Sequence, residues 1–170
     1  MKRAFSALLI AISFVAGPVL ATENWDLSFG RLGPVQVGMT PEAVSKIFSA
    51  EVIREPTPDD PDCYYITPKV GGDSVAFMVT QGRISRIDVS APDIFTMDAI
   101  QVGDTEERVK SIHGEKLLIE PHPFLAPDGN YLTLMNGKGS LAIRFETYQG
   151  LVTAIYTGKF PEIDYAEGCM

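Results

Sequence analysis

The residues best suited to covalent chemistry are two cysteines, Cys63 and Cys169, which lie far apart in the sequence. Redox-active cysteine pairs usually have close spacing such as Cys-x-x-Cys, which is not the case here. In an oxidising compartment an even number of cysteines is most simply explained by structural disulfides. We therefore predict a Cys63–Cys169 disulfide that ties the C-terminus to the first half of the chain.

Two histidines, His113 and His122, are the candidates for acid–base chemistry. His113 follows Val109 by one turn of a predicted helix, so we expect it on the inner face, partly buried and hydrogen-bonded. His122 lies between two prolines in a predicted loop. Neither has the closely spaced His, Cys or carboxylate partners of a zinc site, and no serine lies in a Gly-x-Ser-x-Gly motif. A Ser–His–Asp triad built from distant residues stays open, but we predict no catalytic residue, no metal and no cofactor.

The densest acidic cluster consists of Asp59, Asp60 and Asp62, beside Cys63. A calcium-binding loop alternates its oxygen ligands and needs a glycine for its sharp turn. Residues 56–62 contain three prolines instead. The cluster is therefore predicted to be a solvated loop.

Alternation of residue types along the predicted strands gives the sheet two different faces. Apolar residues are expected on the helix side: Ile66, Val75, Phe77, Val79, Ile87, Val89, Leu132, Leu134, Leu141, Ile143, Phe145 and Ile155. The other face carries tyrosine, methionine and arginine, which are enriched at protein interfaces. The candidate binding residues are Tyr65, Met78, Arg86, Tyr131, Arg144, Glu146 and Tyr156. The alternative is an ordinary solvated face, where tyrosine serves strand propensity.

Two similar segments, residues 34–48 and 99–113, begin the units that position these strands. In the first, Thr40 is a good helix N-cap and Pro41 suits the first helical position. The second segment follows 65 positions later and keeps the threonine cap as Thr105. The matches are Gln36, Val37, Gly38, Thr40, Glu42, Val44 and Ile47 with Gln101, Val102, Gly103, Thr105, Glu107, Val109 and Ile112. This pattern predicts an internal duplication.

Each unit is predicted to be a short helix followed by about four antiparallel strands. In the first unit we expect the helix at residues 40–49 and strands at 52–55, 63–67, 74–80 and 83–90, the last two joined by a turn at Gln81 and Gly82. The predicted fold class is α+β, with two tandem repeats, about 34–90 and 99–160, and a C-terminal tail. Together they should form a sheet of about eight strands with both helices on one face.

Residues 1–21 resemble a secretory signal peptide. A basic start is followed by an apolar stretch and by small residues at the end, as signal peptidase requires. Residues 22–170 would then form one domain carrying 12 basic and 22 acidic residues, a net charge of about −10. That charge disfavours nucleic acid as a partner. We expect a periplasmic or secreted protein with no membrane insertion after signal cleavage.

The Val-Gly-Met-Thr-x-x-x-Val start of the first helix, together with the repeated helix-then-meander layout, resembles the β-lactamase-inhibitor-protein-like fold. Single-unit relatives of that fold include outer-membrane assembly lipoproteins of the SmpA/OmlA type. The second copy departs from the motif, because Asp104 replaces Met39. Residues 165–169 also look like the ending of a set of uncharacterised exported bacterial proteins. The resemblance implies this fold and binding of proteins through one sheet face.

The sequence thus predicts an exported, non-catalytic module that binds an unknown periplasmic or extracellular protein through the open sheet face and its end loops. An inhibitor-like role would use loops 56–62 or 121–130. The alternative is a cell-envelope assembly or structural accessory protein, and a hydrolytic enzyme is a distant third.

Overall fold

The computed structural model describes residues 25–55, 61–69 and 74–169. The predicted signal peptide at residues 1–21 lies outside the described residues, as do Asp59 and Asp60 of the predicted loop. Within the described ranges, no helix has both the length and the apolar character needed to cross a membrane.

The chain forms eleven strands and two α-helices within the part that the structure describes. The strands are β1 (Leu27–Ser28), β2 (Arg31–Leu32), β3 (Val35–Gln36), β4 (Val52–Glu55), β5 (Cys63–Pro68), β6 (Val75–Thr80), β7 (Arg83–Val89), β8 (Leu117–Pro121), β9 (Gly129–Met135), β10 (Leu141–Tyr148) and β11 (Leu151–Lys159). The helices are α1 (Pro41–Phe48) and α2 (Glu106–His113), and short 3-10 turns cover Gly114–Lys116 and Glu162–Asp164.

Strands β4 to β11 form one antiparallel sheet in the order β4-β5-β6-β7-β11-β10-β9-β8. In each half of the sheet the strands follow chain order from the outer edge to the centre, where β7 pairs with β11. The predicted α+β class and the eight-stranded sheet are confirmed. The three N-terminal strands form a second sheet in the order β1-β2-β3.

Both helices begin where the sequence places their caps. The Thr40 hydroxyl accepts a hydrogen bond from the Ala43 N–H, and the Thr105 hydroxyl accepts one from the Arg108 N–H at 3.2 Å. These bonds satisfy backbone donors that a helix N-terminus otherwise leaves without partners.

The β6–β7 and β10–β11 turns are two residues long, as predicted for Gln81 and Gly82. Gln81 and Gly82 have φ angles of 53° and 72°, and Gln149 and Gly150 have 50° and 77°. Two successive positive φ angles are typical of the tight hairpin turn whose twist matches that of the flanking strands.

One hydrophobic core joins the helices to a single face of the large sheet. Val44 of α1 and Val109 of α2 are fully buried in it beside Phe77 and Phe145. Ten of the twelve predicted core positions belong to this cluster or pack against it. The other two, Leu134 and Leu141, are partly buried and lie outside the cluster. Trp25 packs on the Phe48 ring with centroids 5.1 Å apart. The opposite face of the sheet is left for other contacts.

Candidate interaction site

The face opposite the helices is crossed by the chain's own C-terminus, which corrects the expectation of an open face. We call residues 161–169 the C-terminal strap. Its Cys169 forms the predicted disulfide with Cys63 of β5, with the two Cα atoms 5.3 Å apart. A Cβ on Gly168 would lie only 2.8 Å from the Tyr65 hydroxyl, so the strap rests directly on that ring.

Arg86 of β7 fastens the strap to the sheet. Its guanidinium donates to the carbonyls of Glu162 at 3.0 Å and Tyr165 at 2.8 Å. It also donates to both carboxylate oxygens of Asp88, at 2.8 and 2.9 Å, and to the Tyr65 hydroxyl at 2.6 Å. Burial alone would lower the pKa of Arg86, but the Asp88 carboxylate raises it above its ordinary value. With all five N–H groups engaged, Arg86 is 4% exposed and has no donor left for a partner.

The neighbouring tyrosines are likewise used inside the fold. Burial, followed by the charge of Asp88, raises the pKa of Tyr65. Burial and the hydrogen bond to Glu146 raise the pKa of Tyr156, whose hydroxyl donates to that carboxylate at 2.5 Å. The Tyr65 hydroxyl donates to the Asp88 carboxylate at 3.0 Å, so both phenols are neutral donors. Met78, another predicted binding residue, is fully buried.

His122 organises the loop after β8. Its Nδ1 accepts hydrogen bonds from the backbone N–H groups of Phe124 and Leu125, at 3.1 and 3.2 Å. Because Nδ1 accepts, the proton of the neutral ring belongs on Nε2, which lies 3.6 Å from a Glu146 carboxylate oxygen. The ring is 5% exposed and packs on Tyr131 at 4.5 Å between centroids. The position of His122 in a loop was predicted, whereas the burial of its ring was not.

His113 lies on the inner face of α2 as expected, with its ring centroid 6.0 Å from that of Phe145. Burial lowers its pKa, although Asp98 acts in the opposite direction. Its buried Nε2 makes no hydrogen bond within the described ranges. The nearest carboxylate oxygen, on Asp98, lies 3.8 Å away.

A groove of about 360 Å³ remains between strand β8 and the strap. Its floor contains Tyr131, Thr133 and Arg144. Its lining residues are Leu118, Glu120, Pro121, Pro123, Tyr131, Thr133, Met135, Arg144, Phe160, Asp164 and Ala166. Leu118 and Met135 are 49% and 50% exposed, so the groove presents apolar surface to solvent.

The charges in the groove leave its rim acidic. Arg144 is 4% exposed, and its guanidinium donates to the Thr133 hydroxyl at 2.9 Å and to Asp164 at 2.5 Å. It also lies 4.8 Å above the Tyr131 ring and 3.8 Å from a Glu120 oxygen. The Asp164 and Glu120 side chains stay about half exposed, at 50% and 51%. One buried cation thus faces two solvent-exposed carboxylates.

Apart from the fully buried Met78, the predicted binding residues fall into two groups. Tyr131 and Arg144 form the groove floor, whereas Tyr65, Arg86, Glu146 and Tyr156 form the buried polar network beside the strap. The walls of the groove, including Leu118, Met135 and Asp164, were missed. The disulfide was the signal available for the strap, since it requires the C-terminus to return to β5.

Three or more His, Cys, Asp or Glu side chains arranged to hold a metal ion are not found among the described residues. No protein-family model matches the sequence, and no curated protein matches it significantly. A solved structure of an extracellular protein containing a SCP domain from Bacillus anthracis str. Ames is similar over 73% of this chain and 44% of that one. The TM-score is 0.46 and the identity 9%. This chain spans less than half of that protein, and a similarity at this level carries no argument about function.

Proposed function

We propose that the chain is an exported, non-catalytic protein-binding module whose contact surface is the groove between β8 and the C-terminal strap. The observation that carries this proposal is the half-exposed apolar pair, Leu118 and Met135, above a floor of Tyr131 and Arg144. Clustered apolar surface with a polar rim is typical of interaction sites, and tyrosine, methionine and arginine are enriched there.

The loop after β8 extends this surface. Phe124 is 61% exposed, although its backbone is held by His122. An exposed aromatic ring on an anchored loop supports an inhibitor-like contact, in which the loop enters a cleft of the partner. Rigid aromatic side chains make good anchors because little conformational entropy is lost when they bind.

The tandem duplication and the likeness to β-lactamase-inhibitor-like proteins belong to the same proposal. The symmetric sheet order, with a helix preceding each set of four strands, supports the duplication. The Cys63–Cys169 disulfide supports export, because disulfides persist mainly in oxidising compartments.

The test is affinity capture from the exported protein fraction of the source cells, using the mature chain as bait. The groove variant is Leu118→Ser/Met135→Ser. A matched control, Leu151→Ser/Met97→Ser, removes the same residue types where they are 47% and 71% exposed and are not groove-lining residues. We expect one protein to be captured by wild type and control and lost with the groove variant.

Equal capture by all three baits would contradict the proposed surface. Recovery of a hydrolase would favour inhibition, and recovery of envelope-assembly components would favour the accessory role. A hydrolytic activity that stays with the chain through stringent repurification would contradict both binding roles.

A further inference from the structure

We propose that the partner supplies an extended segment that pairs with the outer edge of β8, with a lysine or arginine opposite Glu120. This inference rests on the proposed function and specifies how the partner is recognised. Strand addition to an exposed sheet edge gives affinity through backbone hydrogen bonds and specificity through alternate side chains.

The direction of the backbone groups in β8 follows from its pairing with β9. The His122 N–H bonds to the Gly129 carbonyl at 2.9 Å, and the register continues with Glu120 opposite Tyr131. In an antiparallel pair, alternate residues direct their N–H and C=O groups to the same neighbour. Leu118 and Glu120 therefore bond to β9, whereas Leu117, Ile119 and Pro121 direct their backbone groups outward.

This edge is rich in acceptors and poor in donors. The Leu117 N–H is already bonded to the Gly114 carbonyl, and Pro121 has no N–H. Ile119 is thus the one outward donor within β8, beside three outward carbonyls. Two copies of the chain pairing through β8 would exchange at most two hydrogen bonds, whereas a foreign strand with free N–H groups forms up to four. The edge therefore favours a different partner over a second copy.

Side chains on both faces of β8 fit a peptide with one basic residue followed by two apolar ones. Leu118 on the groove side and Ile119 on the helix side are 49% and 45% exposed. Glu120 and Asp164 place two half-exposed carboxylates against the single buried charge of Arg144. A strand antiparallel to β8 would set its residues opposite Glu120, Ile119 and Leu118 in that order. The matching sequence is basic, apolar, apolar.

The opposite edge of the sheet is less suited to the same use. Arg54 of β4 stacks its guanidinium 3.8 Å from the centre of the Tyr64 ring and donates to the Pro61 carbonyl. Charged side chains on an edge strand are a common protection against strand addition. β4 therefore serves as the internal comparison for β8.

The probe is the peptide Ser-Thr-Lys-Val-Leu-Thr-Ser-amide with fluorescein on its N-terminus, titrated with the mature protein and followed by anisotropy. We expect saturable binding that weakens about tenfold or more in Ile119→Pro, because one hydrogen bond is lost and the edge is obstructed. Proline is tolerated where the N–H faces solvent on an edge strand, so the variant keeps the β9 ladder. Arg54→Pro on β4 is the matched control and should bind as wild type does.

A charge exchange tests the basic residue. Glu120→Lys should weaken binding of the lysine peptide and strengthen binding of the same peptide with glutamate in place of lysine. Absence of saturable binding to the wild type, or equal binding by Ile119→Pro with an unchanged circular dichroism spectrum, would overturn the proposal. A dimer in sedimentation that Ile119→Pro dissociates would also overturn it, because the edge would then belong to a second copy.

The captured partner separates this inference from the proposed function. If Ile119→Pro still captures the partner while Leu118→Ser/Met135→Ser does not, the groove binds protein but strand addition is wrong. If Ile119→Pro and the groove variant both capture the partner, then neither the groove nor strand addition to β8 is the mode of binding.

Discussion

Polar side chains on both sides of the sheet hold its elements together. Glu106, the first residue of α2, accepts hydrogen bonds from the Thr147 hydroxyl at 2.6 Å and from the Asn130 amide. It also pairs with Lys110 at 2.5 Å. One carboxylate thereby joins α2 to β9 and β10, and we expect its charge to matter for folding.

The pH dependence of Glu106 follows from these contacts. Burial raises the pKa of Glu106, but hydrogen bonds from Lys110, Thr147 and Asn130 outweigh it and hold the pKa below the ordinary 4.5. A pKa lowered by folding stabilises the native state above pH 4.5, and this stabilisation is lost as the pH falls through the lowered value. We expect Glu106→Gln to be less stable than wild type at neutral pH, with the two free energies of unfolding converging in acid.

Urea unfolding at a series of pH values measures this convergence. Glu107→Gln is the matched control, since Glu107 lies in the same helical turn but is exposed. Its curve should follow that of the wild type. A constant difference between Glu106→Gln and wild type at all pH values would show that the Glu106 charge makes no contribution.

At the scale of elements, the strap is held by a covalent bond and by two arginines. The chain-entropy estimate for the Cys63–Cys169 loop, with a sequence separation of 106, is about 4–5 kcal/mol. Arg86 and Arg144 also hold the strap in place, so part of the native geometry remains without the disulfide. We expect Cys63→Ala/Cys169→Ala to lose about 2–4 kcal/mol of unfolding free energy, measured as a lower urea midpoint.

Thiol titration provides the control for the disulfide. The native, oxidised protein should contain no reactive thiol, and reduction of the wild type should lower its urea midpoint as the double variant does. Two reactive thiols in the native protein, or an unchanged midpoint in the variant, would contradict the structure.

Local elements were largely predictable because their determinants are adjacent in the sequence. Thr40 and Thr105 cap their helices through neighbouring backbone groups, and Gln81 with Gly82 determines a turn by its own φ angles. The burial of Met78 and Arg86 was not predictable from alternation. Period-two alternation separates the two faces of a strand but does not indicate that a distant segment covers the second one.

At the scale of the whole molecule, the two halves of the sheet meet where β7 pairs with β11. Gly158 of β11 lies opposite Arg86, and a Cβ there would lie 2.6 Å from the Ser85 carbonyl oxygen and 3.0 Å from the Arg86 Cα. Both are backbone atoms and cannot move aside as a flexible side chain would. The junction therefore requires glycine at this position.

Replacement of this glycine tests the junction. Gly158→Ala should lose about 1–3 kcal/mol of unfolding free energy, the usual range for overpacking. Gly137→Ala is the control, because a Cβ at that position meets no atom within 4 Å. Equal stability of the two variants would mean that β7 and β11 are not as closely paired as described.

Only some of the residues that line the groove could be predicted from the sequence. Tyr131 and Arg144 follow from the strand pattern, whereas Phe160 and Asp164 join them through the return of the chain after β11. Its acidic rim, with Glu120 on one wall and Asp164 on the other, depends on that return. Only the three-dimensional structure brings these carboxylates together.

Site-specific photo-crosslinking measures the central claim most directly. A photoreactive phenylalanine derivative is placed at position 135, in the groove, or at position 97, which is also exposed but is not among its lining residues. We predict that the captured partner crosslinks from position 135 and does not crosslink from position 97. Excess unlabelled mature protein, present during irradiation, should prevent formation of the adduct. Equal crosslinking from both positions, or crosslinking from position 97 alone, would contradict the groove as the binding surface.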